Sequence, residues 1–279
     1  MSLAQLACIG GAIQRTAKRC RRKESYMSSH QPLRGRTFVV TEATGNLGAA
    51  ICEAAAIAGA SVIIGFDQSP HAALSLAETL PVAVGAQHLP IALPVTDTQA
   101  LRIGAENVAN HVDHVDVLVN CASTTRFVPH HDLDSLDDAL FDKILSTNIR
   151  GPFAMVRAFR TLLESAADGL VINISSTAAR TAMGSNIAYC ASKAALDNMT
   201  LSMARALAPR IRVVSVSSDL VDADFVDSAD QPWRQLQCNR TPPGRLANVD
   251  DIADAVLTAV ALRFTTGAVL PIDGGRPFL

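Results

Sequence analysis

The chain has 279 residues, 49% of them hydrophobic and 18% charged, with a formal net charge of -2. This composition excludes a disordered chain and supplies enough apolar material for one large core. Near-zero charge gives no reason to expect nucleic acid or an acidic membrane as partner, and no apolar run approaches the ~18 residues of a membrane helix.

Six cysteines (Cys8, Cys20, Cys52, Cys121, Cys190 and Cys238) are scattered without a C-x-x-C pair. Neither a disulfide framework nor a metal site is expected, and a reducing, cytoplasmic compartment is the default. Residues 1–30 differ from the rest, with six basic residues from Arg15 to Lys23. An organelle-targeting presequence, a basic arm and a late start at Met27 all fit. The reading adopted is a flexible tail outside the fold.

From Leu33 onward, Val- and Ile-rich runs alternate with helix-length segments. The expected strands are 37–40, 61–66, 88–93, 116–119, 170–174, 212–217 and 268–272, several lacking polar alternation, as parallel strands covered on both faces do. Ala-rich stretches at 47–58, 148–167 and 187–208 are expected helices. Strand–helix repetition predicts an α/β, Rossmann-like, doubly wound parallel sheet of about seven strands in one domain, residues 31–279. Ligands of such sheets bind beyond the strand carboxyl ends, so the residues after each strand are the ones to inspect.

The stretch "NISSTAARTAMGSNIAYCASK" runs from Asn173 to Lys193. Tyr189 and Lys193 are one helical turn apart and share a face, a spacing a solvated surface pair would share. Tyrosine is a poor base, with a reference pKa near ~10. About 4 kcal/mol of phenolate stabilisation brings it near neutrality, and an ammonium at about 4 Å supplies that much at an effective dielectric of about 20. The pair is therefore a candidate proton donor and acceptor for carbonyl/alcohol chemistry. Ser176 ends a strand, and its hydroxyl can hydrogen-bond a substrate oxygen or cap a turn. Asn148, in "LSTNIRGPF", is a helix cap or the holder of a proton-relaying water.

Together with "LRGRTFVVTEATGNLG", "DVLVNCAS", "GRLANVDDIADAV" and "TGAVLPIDGG", these motifs resemble the short-chain dehydrogenases/reductases in order and spacing, from about Leu33 to Gly275. The resemblance implies an NAD(P)-dependent oxidoreductase that interconverts a secondary alcohol and a ketone. Tyr189 would be the acid/base, Lys193 would lower its pKa and bind the nicotinamide ribose, Ser176 would orient the substrate oxygen, and Asn148 would support the relay. It also implies a homodimer or homotetramer paired through helices near 150–165 and 187–208.

The cofactor loop departs from the family pattern. On the spacing T-G-x-x-G-x-x-G, Thr41, Gly45 and Gly48 match, and Glu42 stands where the first glycine belongs. A positive φ there would strain Glu42 by about 1–2 kcal/mol. A carboxylate facing a pyrophosphate would repel it, one facing solvent would matter little, and Arg36 is a possible partner. Thr41, Gly45, Asn46, Leu47 and Gly48 remain the expected phosphate site at a helix N-terminus, with cofactor binding weakened rather than abolished. Asn120 and Ala122 are further expected cofactor contacts, together with Tyr189 and Lys193.

Other positions also drift: Pro94 replaces an aspartate, Cys121 and Ser123 interrupt N-N-A-G, Ser218-Asp219 replaces Pro-Gly, and Ala223 replaces a threonine. Asp67, one residue later than the family's acidic position, favours NAD over NADP. "HVDHVD" (111–116) reads as a polar turn rather than a metal site, and His130-His131 opens an acidic amphipathic helix. Phe225 and Trp233 lie where the family carries its substrate lid. The accumulated drift sustains an alternative: a catalytically impaired relative that binds a ligand or partner.

Overall fold

The computed structural model describes residues 31–222 and 231–276. The basic segment 1–30 and the positions Ala223 and Phe225 lie outside the described residues. Seven parallel strands form one sheet in the order β3-β2-β1-β4-β5-β6-β7. They are β1 (Thr37–Val40), β2 (Ser61–Phe66), β3 (His88–Ala92), β4 (Val117–Asn120), β5 (Gly169–Ser176), β6 (Ile211–Ser218) and β7 (Val269–Ile272). The helices used below are α1 (Asn46–Ile57), α2 (Pro70–Thr79), α3 (Thr98–Ala109), α4 (Asp138–Leu145), α5 (Gly151–Ser165), α6 (Ala178–Thr181), α7 (Ile187–Leu207), α8 (Gln231–Asn239) and α9 (Val249–Ala261).

The strands lack polar alternation because both faces are covered. Phe38 and Val40 point into one core with Ile51 and Ala55 of α1 and Ile252 and Val256 of α9. Val39, between them, points into the other, with Leu101 of α3, Phe159 of α5 and Met203 of α7. A period of two is therefore still present, but both half-sets are apolar.

Strand order reverses between β1 and β4, the place where such sheets open a crevice. Asp116, 2% exposed, fixes the base of this junction. Its carboxylate accepts from the Thr37 N–H at 2.8 Å and from Arg36 at 2.7 Å. Arg36 is therefore the partner of Asp116, not of Glu42. At the other end of α1, Gly59 turns the chain at φ 98°, where a Cβ would stand 2.8 Å from Gln31 Cβ.

Between α4 and α5 the helical path widens into a single π-turn, Ser146–Arg150. The expected continuous helix 148–167 is thus divided, and Asn148 lies in the wide turn. Such turns occur frequently at functional sites, because they reorient a side chain without ending the helix.

Candidate functional site

The β1–β4 rim is joined by one hydroxyl. Thr41 Oγ1 accepts from the Cys121 N–H at 3.0 Å and the Ala122 N–H at 2.9 Å, and the Thr41 N–H donates to Val119 O at 3.1 Å. Thr41 is 1% exposed, so its role is to lock two strand ends together. Asn120 is buried too, its amide donating to Asn173 Oδ1 at 2.8 Å. Asn173 continues to Thr200, and Thr200 to Ser215. This polar ladder lies beneath the site, and it holds the Asn120 side chain within the sheet.

Glu42 answers the question its loop poses. It adopts φ 51°, the left-handed backbone that glycine normally supplies. Its carboxylate turns inward and accepts from the Ser123 N–H at 3.0 Å. A bond to a charged acceptor contributes roughly 1.5–3 kcal/mol, enough to offset a strain of about 1–2 kcal/mol. Burial raises the Glu42 pKa above its ordinary value, opposed by the Ser123 bond and by the charge of Lys193. As a whole residue Glu42 is exposed at the rim; the carboxylate end is the desolvated part.

The rest of the loop fits a phosphate-bearing cofactor. No side chain hydrogen-bonds to cap α1 at Gly45, so its positive end can meet an anion, although the Glu42 carboxylate lies beside it: a Cβ on Gly45 would stand 3.6 Å from Glu42 Oε1. At Gly48 a Cβ would stand 2.3 Å from Glu42 O and 2.8 Å from Ala43 Cα, so only glycine lets α1 approach the loop this closely. Asn46 opens α1 and is exposed, while Leu47 packs against the core. Asp67 follows β2 and is exposed, as a group meeting a ribose edge must be. Against these features stands the single inward carboxylate of Glu42.

On the opposite wall, β5 and α7 bring together the residues expected from sequence. Ser176 lies close enough to Tyr189 to lower its pKa, and Ser176 Oγ accepts from the Ala178 N–H at 3.2 Å. Lys193 is 3% exposed. Its ammonium donates to Ile174 O at 2.9 Å and stands 5.6 Å from the Tyr189 ring centroid. Asn148 is 1% exposed: its oxygen accepts from the Thr124 N–H at 2.8 Å, and its nitrogen donates to Thr124 O and Ser192 Oγ, both at 3.1 Å. Asn148 thus ties the segment after β4 to α7.

Two residues not singled out from sequence position this wall. Asn186 caps α7, its side-chain oxygen accepting from the Tyr189 N–H at 2.7 Å while its nitrogen donates to Arg126 O at 2.7 Å. Asn three residues before Tyr189 is a helix-start pattern that sequence alone could have supplied. Asp197 lies one turn beyond Lys193 and acts on it electrostatically. That spacing too was legible.

The electrostatics depart from the simple ammonium–phenol picture. Burial pushes the Tyr189 phenol above its ordinary pKa, and Ser176 only partly opposes this. Lys193 is itself desolvated, which pushes its ammonium down to about 8 against the pull of Cys121, Asp197 and Glu42. Cys121 is pushed up to about 12 by burial, so its thiol is neutral in ordinary buffers. Burial dominates at Tyr189, and Lys193 is not among the groups that shift it; its ammonium is engaged by a backbone carbonyl.

Outside the site, His114 lies 3.3 Å from Asp116, and His130 is 3.2 Å from Gly184 O. Among the described residues no three His, Cys, Asp or Glu side chains are grouped to hold a metal ion. Asp219, standing in for glycine after β6, accepts from Thr177 Oγ1 at 3.0 Å and pairs with Arg276 at 3.4 Å. Trp233 lies on α8, half-buried.

A crevice at the strand-order reversal, an open helix N-terminus and a Ser–Tyr–Lys group on the facing wall define a nucleotide-dependent oxidoreductase architecture. The family model described as short chain dehydrogenase matches residues 36–233, and the chain belongs to that family of NAD(P)-dependent oxidoreductases acting on CH–OH groups. It is 34% identical to D-threitol dehydrogenase of Mycolicibacterium smegmatis over 247 residues, covering 87% of this chain and 93% of that one. It is 32% identical to L-rhamnose 1-dehydrogenase (NAD(P)(+)) of Azotobacter vinelandii, covering 86% and 96%. A solved short-chain dehydrogenase/reductase from Burkholderia xenovorans superposes with a TM-score of 0.80 at 34% identity, covering 88% of this chain and 98% of that chain.

Proposed function

We propose that the chain interconverts a secondary alcohol and a ketone, with Tyr189 as the group that gives and takes the hydroxyl proton. The observation that carries this reading is the buried Lys193 ammonium 5.6 Å from the Tyr189 ring centroid, with Ser176 beside the phenol. Ser176 orients the substrate oxygen, and the Tyr189 phenol exchanges the proton at that oxygen. Lys193 supplies the positive charge that steadies the phenolate, and Asn148 fixes the segment against which the substrate lies. Thr41, Gly45, Asn46, Leu47, Gly48, Asp67 and the amides around Ala122 would hold the dinucleotide, with Lys193 at its nicotinamide ribose. When bound, that cofactor supplies or accepts the hydride.

Asp67 supports NAD over NADP, since a carboxylate there accepts from a ribose hydroxyl and repels a 2′-phosphate. A small carbonyl or alcohol is the substrate class, and the cytoplasm the compartment. A homodimer or homotetramer follows from the family resemblance, and the exposed Phe153 on α5 and Leu201 on α7 lie on the helices that would pair. The alternative, a ligand- or partner-binding relative without turnover, draws on one observation: the Glu42 carboxylate inside the crevice.

A panel of polyols, sugars and simple secondary alcohols, assayed with NAD+ and NADP+ for formation of reduced cofactor, separates the two. Turnover with any member, preferring NAD+, is the expected result. No turnover, with no binding of any nicotinamide dinucleotide up to millimolar concentration, establishes the alternative.

A further inference from the structure

Tyr189 is gripped twice, at its main chain and at its ring, and both grips come from the loop before α7. Asn186 accepts from the Tyr189 N–H at 2.7 Å and donates through its side-chain nitrogen to Arg126 O at 2.7 Å. Two residues earlier, Gly184 lies against the ring. A Cβ there would stand 3.1 Å from Tyr189 Cδ1, 2.8 Å from Cys190 Sγ and 3.0 Å from Ala178 Cβ. Gly184 is outside the left-handed backbone region, so the chain path does not call for glycine. The close approach of the ring and of its two neighbours does.

Resting on the Tyr189 reading above, we propose that Gly184 is a positioning residue for the phenol: the space its missing side chain leaves is the seat of the ring edge, and the segment after β4 holds that seat in place. The Val128 N–H donates to Ser185 O at 2.8 Å, and His130 Nε2 stands 3.2 Å from Gly184 O. With the Asn186 bond to Arg126 O, three successive residues of the loop are fastened to that segment. The i, i+4 spacing to Lys193 fixes the face of α7 from which Tyr189 leaves, but not how far the ring leans along it. The contact with Gly184 sets that lean. An added methyl would drive the ring back by roughly 0.4 Å, to regain a carbon–carbon separation of about 3.5 Å. A displacement of about 1 Å at a reacting group costs about 10²-fold, so this one costs about three- to tenfold.

Gly184→Ala tests the assignment through three readouts: turnover of the best substrate from the panel above, dinucleotide affinity, and the 19F spectrum of the chain labelled with 3-fluorotyrosine. The chain has two tyrosines, Tyr26 and Tyr189, and Tyr189→Phe assigns the two lines. Turnover should fall about three- to tenfold with dinucleotide affinity unchanged. The Tyr189 line should move while the Tyr26 line stays. Gly184→Ala/Cys190→Ala removes the shortest clash and is the variant least prone to misfold. It should recover the thermal stability lost in Gly184→Ala, but neither the rate nor the line position, with Cys190→Ala alone as the control. A Tyr189 line unmoved in the folded variants, or a rate restored by Cys190→Ala, overturns the assignment. No turnover by the wild type with any substrate, together with a moved Tyr189 line in the variants, overturns the proton-transfer reading and leaves the seat standing.

Discussion

On the α7 wall of the crevice Ser176, Tyr189 and Lys193 meet as side chains; on the β1–β4 wall the contacts are main-chain amides arranged by Thr41, with one carboxylate among them. The first wall matches its family's pattern at every chemical position, and the second departs from it at Glu42, Cys121 and Ser123. Proton transfer, the role proposed for the first wall, needs particular functional groups. Phosphate binding by a helix N-terminus needs backbone geometry, which many side chains permit. Drift on the second wall is therefore compatible with function so long as the backbone holds, and Glu42 shows how it holds: a strained φ matched by one bond to Ser123.

The two walls should fail differently when altered. Lys193→Met carries the largest expected effect, a fall in kcat/KM of about 10²–10⁴-fold, accompanied by weaker cofactor binding. A loss of turnover without any loss of affinity would separate Lys193 from the cofactor wall. The same residue sets a pH limit. Its pKa is depressed to about 8, so the charge is present below that value and lost above it. Cofactor affinity should fall as pH rises through about 8 in wild type and stay flat in Lys193→Met, measured by titration at a series of pH values. The sign for stability is opposite. A lysine depressed in the folded state costs stability where it is charged, and that cost fades as pH climbs from about 8 toward the ordinary lysine value.

Thr41→Val tests the second wall. It leaves the half-buried Ala122 amide without its acceptor and the Cys121 amide with Val119 O alone, at a cost of about 1–3 kcal/mol. Denaturant unfolding should show that loss, and cofactor affinity should weaken while kcat at saturating cofactor stays close to wild type. A fall in kcat with affinity intact would contradict the division between the walls. Smaller still is Asn186→Ala, which removes the α7 cap at a cost of about 1 kcal/mol. Turnover should decline several-fold through misplacement of Tyr189, with cofactor affinity unmoved.

Much of this arrangement is legible in the sequence, for identifiable reasons. Thr37–Val40 and Ser61–Phe66 are bounded correctly because unbroken Val/Ile runs end at turn residues. Ser176 ends β5 as expected, while β6 runs beyond its expected end because Ser218 looks like loop but pairs with Ser176. The π-turn at Asn148 has no propensity of its own, and tertiary bonds to Thr124 and Ser192 go with it. The inward turn of Glu42 depends on an amide 81 residues away, beyond the reach of any local rule. The phenol–ammonium geometry was underdetermined for the same reason: i, i+4 spacing sets a shared face, but Ile174 O decides where the ammonium goes.

The proposed chemistry puts the transferred proton on one phenol. Tyr189→Phe, which deletes a single oxygen, tests it most directly when turnover and cofactor affinity are measured on the same preparation. The predicted result is turnover reduced by at least about 10²-fold, with nicotinamide dinucleotide binding unchanged within about twofold. Turnover persisting near the wild-type rate would contradict it.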